Sequence, residues 1–521
     1  MSERSEPARV ASLIYLALAE QRHDDAIELA ETNWPVLISH DVAALRAVAD
    51  RLSPAELAER PAWDRIRRYL GFLMIESPLR PTAYVEPALP HPPRSLADTL
   101  LTLTTRGIAA RTAGRFCEAV RLARSALKRL DEACDAERDA VQHRLADGYL
   151  QWGLSFEFAA LETEAIGAFE RAYELGIAFE NLRVATDAAG ELSWVHAVAG
   201  RGGDADAWGE RARRLAESAR SSATWRRTDI LAAAVRLADR LRPDAALELL
   251  ATRPDGAVDE HRLPALAQSV SFRLTSGRAS PTLLLSELRR AETADAPLFA
   301  ESGQNLVSFR YIAALVHLAA HRPDRAVELL AALDQERGGA WALGVRAAAQ
   351  LAVGADPEAR RDAELVVARS EHRPRQLVPA LLVKAVLARQ AGASGAALDA
   401  FADACALAVE HGLLSSLVVI PHAEFLDLFR LAGDRLDDPQ LADLARMPLV
   451  FAPPRCTAVK LSPRELEVLR ELAGGGALSS VAARLHLSVN TLKVHNHAIY
   501  KKLGVDGRDP AVAVALERGL I

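Results

Sequence analysis

The sequence predicts an all-α fold: a superhelical array of helix pairs over residues 1–445, a linker at 446–460, and a small four-helix domain over 461–521. Three observations carry this expectation. Half of the 521 residues are apolar and a quarter are charged; Ala, Leu, Arg and Glu are abundant and Thr, Tyr and Ile sparse, a mix that favours helix over strand. RPDAALELL at 242–250 returns 80 residues later as RPDRAVELL at 322–330. Finally, SVNTLKVHNHAIYKKLGV at 488–505 holds three lysines, two histidines and no acid, in a chain whose 63 basic and 69 acidic residues give a net charge of −6. The length exceeds what one ordinary core needs, so several domains or one extended array are expected.

In chain order, MSERSEPARVASLIYLALAEQ reads as an amphipathic first helix. Glu3 and Glu6 spoil the basic segment that a secretory leader would need. Related helix starts follow at Asp24 (DDAIELAE), Gly114 (GRFCEAVRLA), Ala165 (EAIGAFERA), Ala205 (DADAWGERA), Arg242, Arg322, Ala363 (DAELVVA) and Ala397 (AALDAFADA). Each has a turn with Asp, Pro or Gly, then Ala where two helices would approach closely, then Leu or Phe at helical spacing. The cadence of about 35–40 residues suits helix pairs that bury their faces only by stacking on neighbours. Pro243 and Pro323 fit the first helical turn, where a missing N–H costs little. Six prolines crowd residues 77–94, which predicts an extended loop. No clean repeat is legible over 255–300. The degenerate pairs resemble tetratricopeptide repeats. NWPVLISHDVAALRAVADRLSPAELAERP, Asn33 to Pro61, resembles the start of the helical-repeat sensor region of MalT-like regulators.

Past the prolines at 448, 453 and 454 the pattern changes. Ser462-Pro463-Arg464-Glu465 is a capping box with Pro at the first helical position. Leu466, Leu469, Leu472 and Ala473 should face inward, and Gly474-Gly475-Gly476 ends this helix. A second helix runs from about Leu478 to Leu485. His486-Leu487-Ser488 forms a turn, with Ser488 capping the third helix. There Val489, Leu492, Ile499 and Leu503 make one stripe, while Asn490, Lys493, Val494, His497 and Lys501 lie on the other side. The fourth helix is expected over Pro510 to Arg518. Two short helices, a tight turn and a basic outer face are the parts of a helix-turn-helix unit. Residues 455–521 hold ten Lys or Arg against six Asp or Glu, a net of +4, which leaves −10 for the rest. Attraction to a polyanion is therefore confined to one end.

LSPRELEVLRELAGGG, VAARLHLSVNTLKVHNHAIYKKLGV and the Arg and Ala-Val that follow resemble the LuxR-type helix-turn-helix domain over Leu461 to Ile521. The resemblance implies a transcriptional regulator that binds double-stranded DNA. It places Lys493, Val494 and His497 at base edges and Asn490, Thr491, His495, Lys501 and Arg508 at phosphates. It implies dimerisation through the fourth helix, at Val512, Val514 and Leu516, and contact with RNA polymerase. Three departures stand out: Asn496 replaces a usual apolar residue, Ser480 a usual acid, and three glycines loosen the first connection.

Other chemistry finds no support in the sequence. There is no GxxxxGK[ST], so the ATPase module of large MalT-like regulators is not expected in this sequence, and no GxSxG. Cys117, Cys134, Cys405 and Cys456 have no metal-site spacing and read as reduced thiols. His495 and His497 sit about 200° apart around a helix and cannot share one ion. No cofactor, no metal and no enzyme activity is expected. Nor does any apolar run approach the roughly 18 residues of a membrane span, so the cytoplasm is the expected location. The array is expected to bind a protein, peptide or small-molecule effector. The alternative reading is a protein-interaction scaffold whose terminal helix-turn-helix is vestigial or docks to transcription machinery.

Overall fold

A computed structural model describes residues 6–34, 37, 41–73, 95–218, 228–253, 259–333, 339–369, 373–436, 438–446, 461–503, 505–517 and 520–521. Among these residues every regular element is a helix. Cys456, Arg518, the Pro-rich segment 77–94 and, past Arg446, the expected linker 446–460 lie outside the described residues.

The chain opens with α1 (Glu6–Ala19), α2 (His23–Thr32), α3 (Val42–Arg51), α4 (Pro54–Glu59) and α5 (Pro61–Leu73). They share a core built on Ile14, Leu45, Val48 and Trp63. The next pair is α6 (Leu96–Thr112) with α7 (Phe116–Asp131), and a short α8 (Asp135–Val141) leads out of it. Seven further pairs stack in sequence: α9 (Leu145–Phe158) with α10 (Glu162–Ala178), α11 (Leu182–Ala199) with α12 (Gly202–Ser218), α13 (Thr228–Asp239) with α14 (Pro243–Ala251), α15 (Arg262–Thr275) with α16 (Pro281–Ala294), α17 (Gln304–Ala319) with α18 (Pro323–Ala331), α19 (Leu343–Ala352) with α20 (Asp356–Arg369), and α21 (Pro374–Gln390) with α22 (Ser394–His411). α23 (His422–Ala432) and α24 (Pro439–Arg446) follow. The first helices of successive pairs pack on one another, and each second helix packs on its partner.

Sequence dictates the pairing in two ways. The fourth residue of most second helices is a fully buried alanine: Ala26, Ala119, Ala165, Ala205, Ala246, Ala326 and Ala397. A larger side chain there would hold the partner helix away. In α20 this role falls to Ala359; Ala363, expected at a helix start, lies one turn further in, also buried. The turn before each second helix places one residue in the left-handed region two positions ahead of it. Gly114, Gly200, Gly354 and Gly392 do so, as do the non-glycines Gln21, Ala160, Leu241 and His321. Contrary to the sequence reading, residues 255–300 do contain a pair, α15 and α16. Its turn differs, with Gly277 left-handed four positions ahead of Pro281 and Ser280 as the cap.

The array also folds back on itself. α9 touches α17, and α11 touches α21. Arg375, on α21, donates to the carbonyls of Ala197 (2.8 Å) and Val198 (3.0 Å) and pairs with buried Asp239 (2.6 Å). Added Cβ atoms would lie 2.6 Å from the Arg375 nitrogen at Gly200 and 2.1 Å from the His411 carbonyl at Gly202, so glycine alone fits this junction. A cavity of about 130 Å³ opens beside it, lined among others by Asp239, Tyr311, Trp341, Arg373 and Arg375.

Candidate nucleic-acid interface

The last four helices are α25 (Pro463–Ala473), α26 (Leu478–Arg484), α27 (Val489–Leu503) and α28 (Arg508–Glu517). Their core is Val468, Leu469, Leu472, Val481, Ala482, Leu485, Leu492, Ile499, Leu503, Ala511 and Ala515. Of the face expected on α25, Leu469 and Leu472 are buried, Leu466 is half-buried and Ala473 is exposed; Val468 takes the missing place. α28 begins two residues earlier than expected, at Arg508, so Pro510 sits third in the helix rather than first.

The Ser462 capping box forms. Its hydroxyl accepts from the Glu465 N–H (3.2 Å), and the Glu465 carboxylate accepts from the Ser462 N–H (2.6 Å). That carboxylate is buried and also accepts from Lys502 of α27 at 2.6 and 2.8 Å. Burial would raise the Glu465 pKa, but the bonds from Lys502 and Ser462 outweigh it and hold the group below its ordinary value. Three arginines complete the frame. Arg464 donates to the Leu485 carbonyl (2.9 Å), closing α26 onto α25. Arg484 pairs with Glu471 (2.6 Å). Arg508 donates to the carbonyls of Leu472 (2.6 and 3.1 Å) and Gly476 (2.5 Å). Expected at a phosphate, Arg508 instead has its guanidinium committed to the open end of α25, where the glycine run leaves carbonyls without helical partners.

The frame presents α27. His486 takes the left-handed conformation (φ 54°) that turns α26 into it. Ser488 Oγ accepts from the Thr491 N–H (3.0 Å) and lies 2.8 Å from the Thr491 hydroxyl, so the expected cap is in place and Thr491 is tied to it. Leu492, Ile499 and Leu503 face inward; Val489, expected with them, is 38% exposed because the first turn projects beyond the core. Asn496 fills the remaining inward position, 5% exposed, with its side-chain carbonyl lacking a hydrogen-bond partner among the described residues.

The opposite face carries Asn490, Lys493, Val494, His497 and Lys501, all exposed at helical spacing, with Thr491 exposed beside them. Val494 is 69% exposed, the most exposed large apolar side chain among the described residues. His495 is half-buried on a different side. Lys493 and Lys501 have no ion pair among the described residues, whereas Lys502, Arg464, Arg484 and Arg508 are all spent on internal partners. The structure thus divides the domain's positive charge into holding and presented groups. The holding set escaped the sequence reading; its one visible signal was the acid at the third position of α25, which needs a cation once buried. On α28, Val512 and Val514 are half-buried and Leu516 is 56% exposed.

Residues 459–515 match the family described as GerE, bacterial regulatory proteins, luxR family. The probable transcriptional regulatory protein NarL of Mycobacterium tuberculosis (strain H37Rv) is 43% identical over 61 residues, 12% of this chain and 28% of that protein. The transcriptional regulatory protein YxjL of Bacillus subtilis (strain 168) is 36% identical over 64 residues, 12% of this chain and 29% of that protein. The chain therefore spans less than a third of the length of these relatives, and the likeness lies in its last eighth. These matches are to a family of regulators and not of enzymes. The solved structure titled "Structure of Naa15/Naa10 bound to HypK-THB" aligns over 99% of this chain and 78% of that one at 13% identity, with a TM-score of 0.17, which carries no argument about the fold. No described helix is long and apolar enough to cross a membrane.

Proposed function

We propose that the chain is a DNA-binding transcriptional regulator that reads a promoter site with α27 under the control of its helix-pair array. The observation that carries this is the presented face: Lys493 and Lys501, without acidic partners among the described residues, flank exposed Val494 on a helix whose other side is locked into a core. A cation with no internal partner is available for a phosphate or a guanine edge, and an exposed Val suits a thymine methyl. Lys493, Val494 and His497 would meet bases; Asn490, Thr491, His495 and Lys501 would meet phosphates. Arg508 is reassigned to the frame. Val512, Val514 and Leu516 would form a dimer surface that matches two half-sites. The array would act as a tetratricopeptide-like superhelix that binds a protein, peptide or small-molecule effector in the cytoplasm, and the DNA-bound form would contact RNA polymerase.

Selection of bound fragments from genomic DNA by the full-length chain tests the reading. Enrichment of a defined site is expected, and Lys493→Ala should weaken that site by about 1–3 kcal/mol while relaxing its sequence preference. Failure to enrich any sequence at low salt would remove the proposal's support.

A further inference from the structure

Inside the array, far along the sequence from α27, three chemically potent side chains meet. Glu157 ends α9, Glu191 lies in the middle of α11, and His261 caps α15. All three are buried. One ligand atom from each lies within 4.8 Å of the others. His261 Nε2 is 3.0 Å from Glu157 Oε1 and 3.3 Å from Glu191 Oε2. Phe158 and Trp194 rings flank the imidazole, and the Trp194 N–H donates to Glu157 Oε1 at 2.9 Å.

The charges around this cluster do not balance. The outer acids have arginines beside them: Glu260 has Arg111 (2.7 Å), Asp259 has Arg253, and Asp187 shares Arg183 (3.1 Å) with Asp147 (2.7 Å). Glu157 and Glu191 share one imidazole between them. Glu157 Oε2 accepts no hydrogen bond among the described residues, and Glu191 Oε2 has only the 3.3 Å approach of the shared imidazole; a buried carboxylate oxygen left so is costly. A second observation points the same way. Gln304, 2% exposed, also has a side-chain oxygen unpartnered among the described residues, and it lines with Glu157 a void of about 10 Å³. That is close to the space one water occupies.

We propose that Glu157, Glu191 and His261 bind a divalent transition-metal ion. Two carboxylates neutralise a dication, and one imidazole with oxygen donors and no thiolate suits Zn²⁺ or Mn²⁺. Metal–ligand bonds of about 2.1 Å put neighbouring ligand atoms about 3–3.5 Å apart, which the two spacings from His261 match. The ion would pin α9, α11 and α15, three helix pairs that sequence order alone does not bring together at one point. The inference does not depend on DNA binding.

The test uses the full-length chain without a histidine tag, stripped by chelator and dialysed against Zn²⁺ or Mn²⁺. Wild-type protein should retain one equivalent of metal through gel filtration and gain thermal stability. Glu191→Gln, which keeps the shape of the side chain, should bind at least tenfold more weakly. Replacement of His495 and His497 together, on α27, should leave metal retention at wild-type level. A wild type that retains neither ion, or a Glu191→Gln chain that retains as much as wild type, would overturn the proposal and leave a proton shared among the three groups. Should Glu191→Gln lose its helical circular dichroism, X-ray absorption on metal-loaded wild type decides. One imidazole with oxygen donors supports the site; sulfur or several imidazoles overturns it.

Discussion

Lys501 and Lys502 are neighbours in sequence with opposite duties. Lys501 is exposed and has no acid to pair with among the described residues, while Lys502 bridges to a carboxylate buried in α25. Lys501→Ala should therefore weaken every duplex, lower the slope of log affinity against log salt by about one, and leave the melting temperature alone. Lys502→Ala should do the reverse. It strands the Glu465 carboxylate, so a loss of about 1–3 kcal/mol in domain stability is expected with little change in the salt slope. Salt-dependent binding and thermal unfolding of both variants check this, and identical behaviour would refute the division of charge. A third residue acts through protons. His196 is buried, and that burial, with Arg201 donating to its ring at 2.8 Å, depresses its pKa to about 4; Asp204 and Glu162 oppose the shift without cancelling it. A depressed histidine keeps the folded state from taking up a proton that the unfolded chain accepts. Its stabilisation is complete above the unfolded pKa of about 6.5 and is lost as pH falls toward 4, at most about 3 kcal/mol. Urea midpoints for wild type and His196→Gln should converge in their pH dependence everywhere except that window, where wild type is the steeper.

On the scale of the helix, α27 shows what a sequence can and cannot reveal. Leu492, Ile499 and Leu503 were legible because apolar residues at helical spacing have one economical arrangement, turned inward. Asn496 completes that stripe and was visible only as an oddity, since a polar residue's burial depends on neighbours that sequence spacing does not display. Its side-chain oxygen, unpartnered among the described residues, makes Asn496→Leu a stabilising change, by about 1–3 kcal/mol in thermal unfolding, provided the core admits two methyl groups in place of the amide oxygen and nitrogen. Lower stability would mean that an unseen partner satisfies the amide. The array was legible through its alanines, because close helix approach demands a small side chain at a fixed position, and Ala26 through Ala397 supply it. The α15–α16 pair was not, because its turn uses Ser280-Pro281 after Gly277 instead of the common left-handed step. The internal bonds of Arg508 were not legible for a similar reason. An exposed cation and one that closes a helix end look alike in sequence, and only the carbonyls of Leu472 and Gly476 distinguish them. Glu157, Glu191 and His261, separated by 34 and 70 positions, fall outside any spacing motif.

At the scale of the whole array, contacts between pairs that are not neighbours decide how it unfolds. A linear stack held only by adjacent repeats loses its pairs one by one from the ends. Here α21 returns to α11 and α13, and Arg375 is the residue through which they meet: it satisfies two carbonyls at the end of α11 and the buried carboxylate of Asp239 on α13. Gly200 and Gly202 let the backbones come this close. Removing the arginine leaves Asp239 with Ser415 at 3.1 Å and Arg236 at 3.5 Å, both weaker partners for a charge in so dry a place. Arg375→Ala should cost about 3–5 kcal/mol where the junction is concerned. The loss should not be confined to α21. If the junction couples distant pairs, amide exchange will quicken together in 197–202, around Asp239 and in 373–413, while α1 to α5, which share a separate core, keep their protection. Exchange that quickens only beside residue 375 would show instead that the array behaves as a chain of independent neighbours and that the return of α21 contributes no cooperativity.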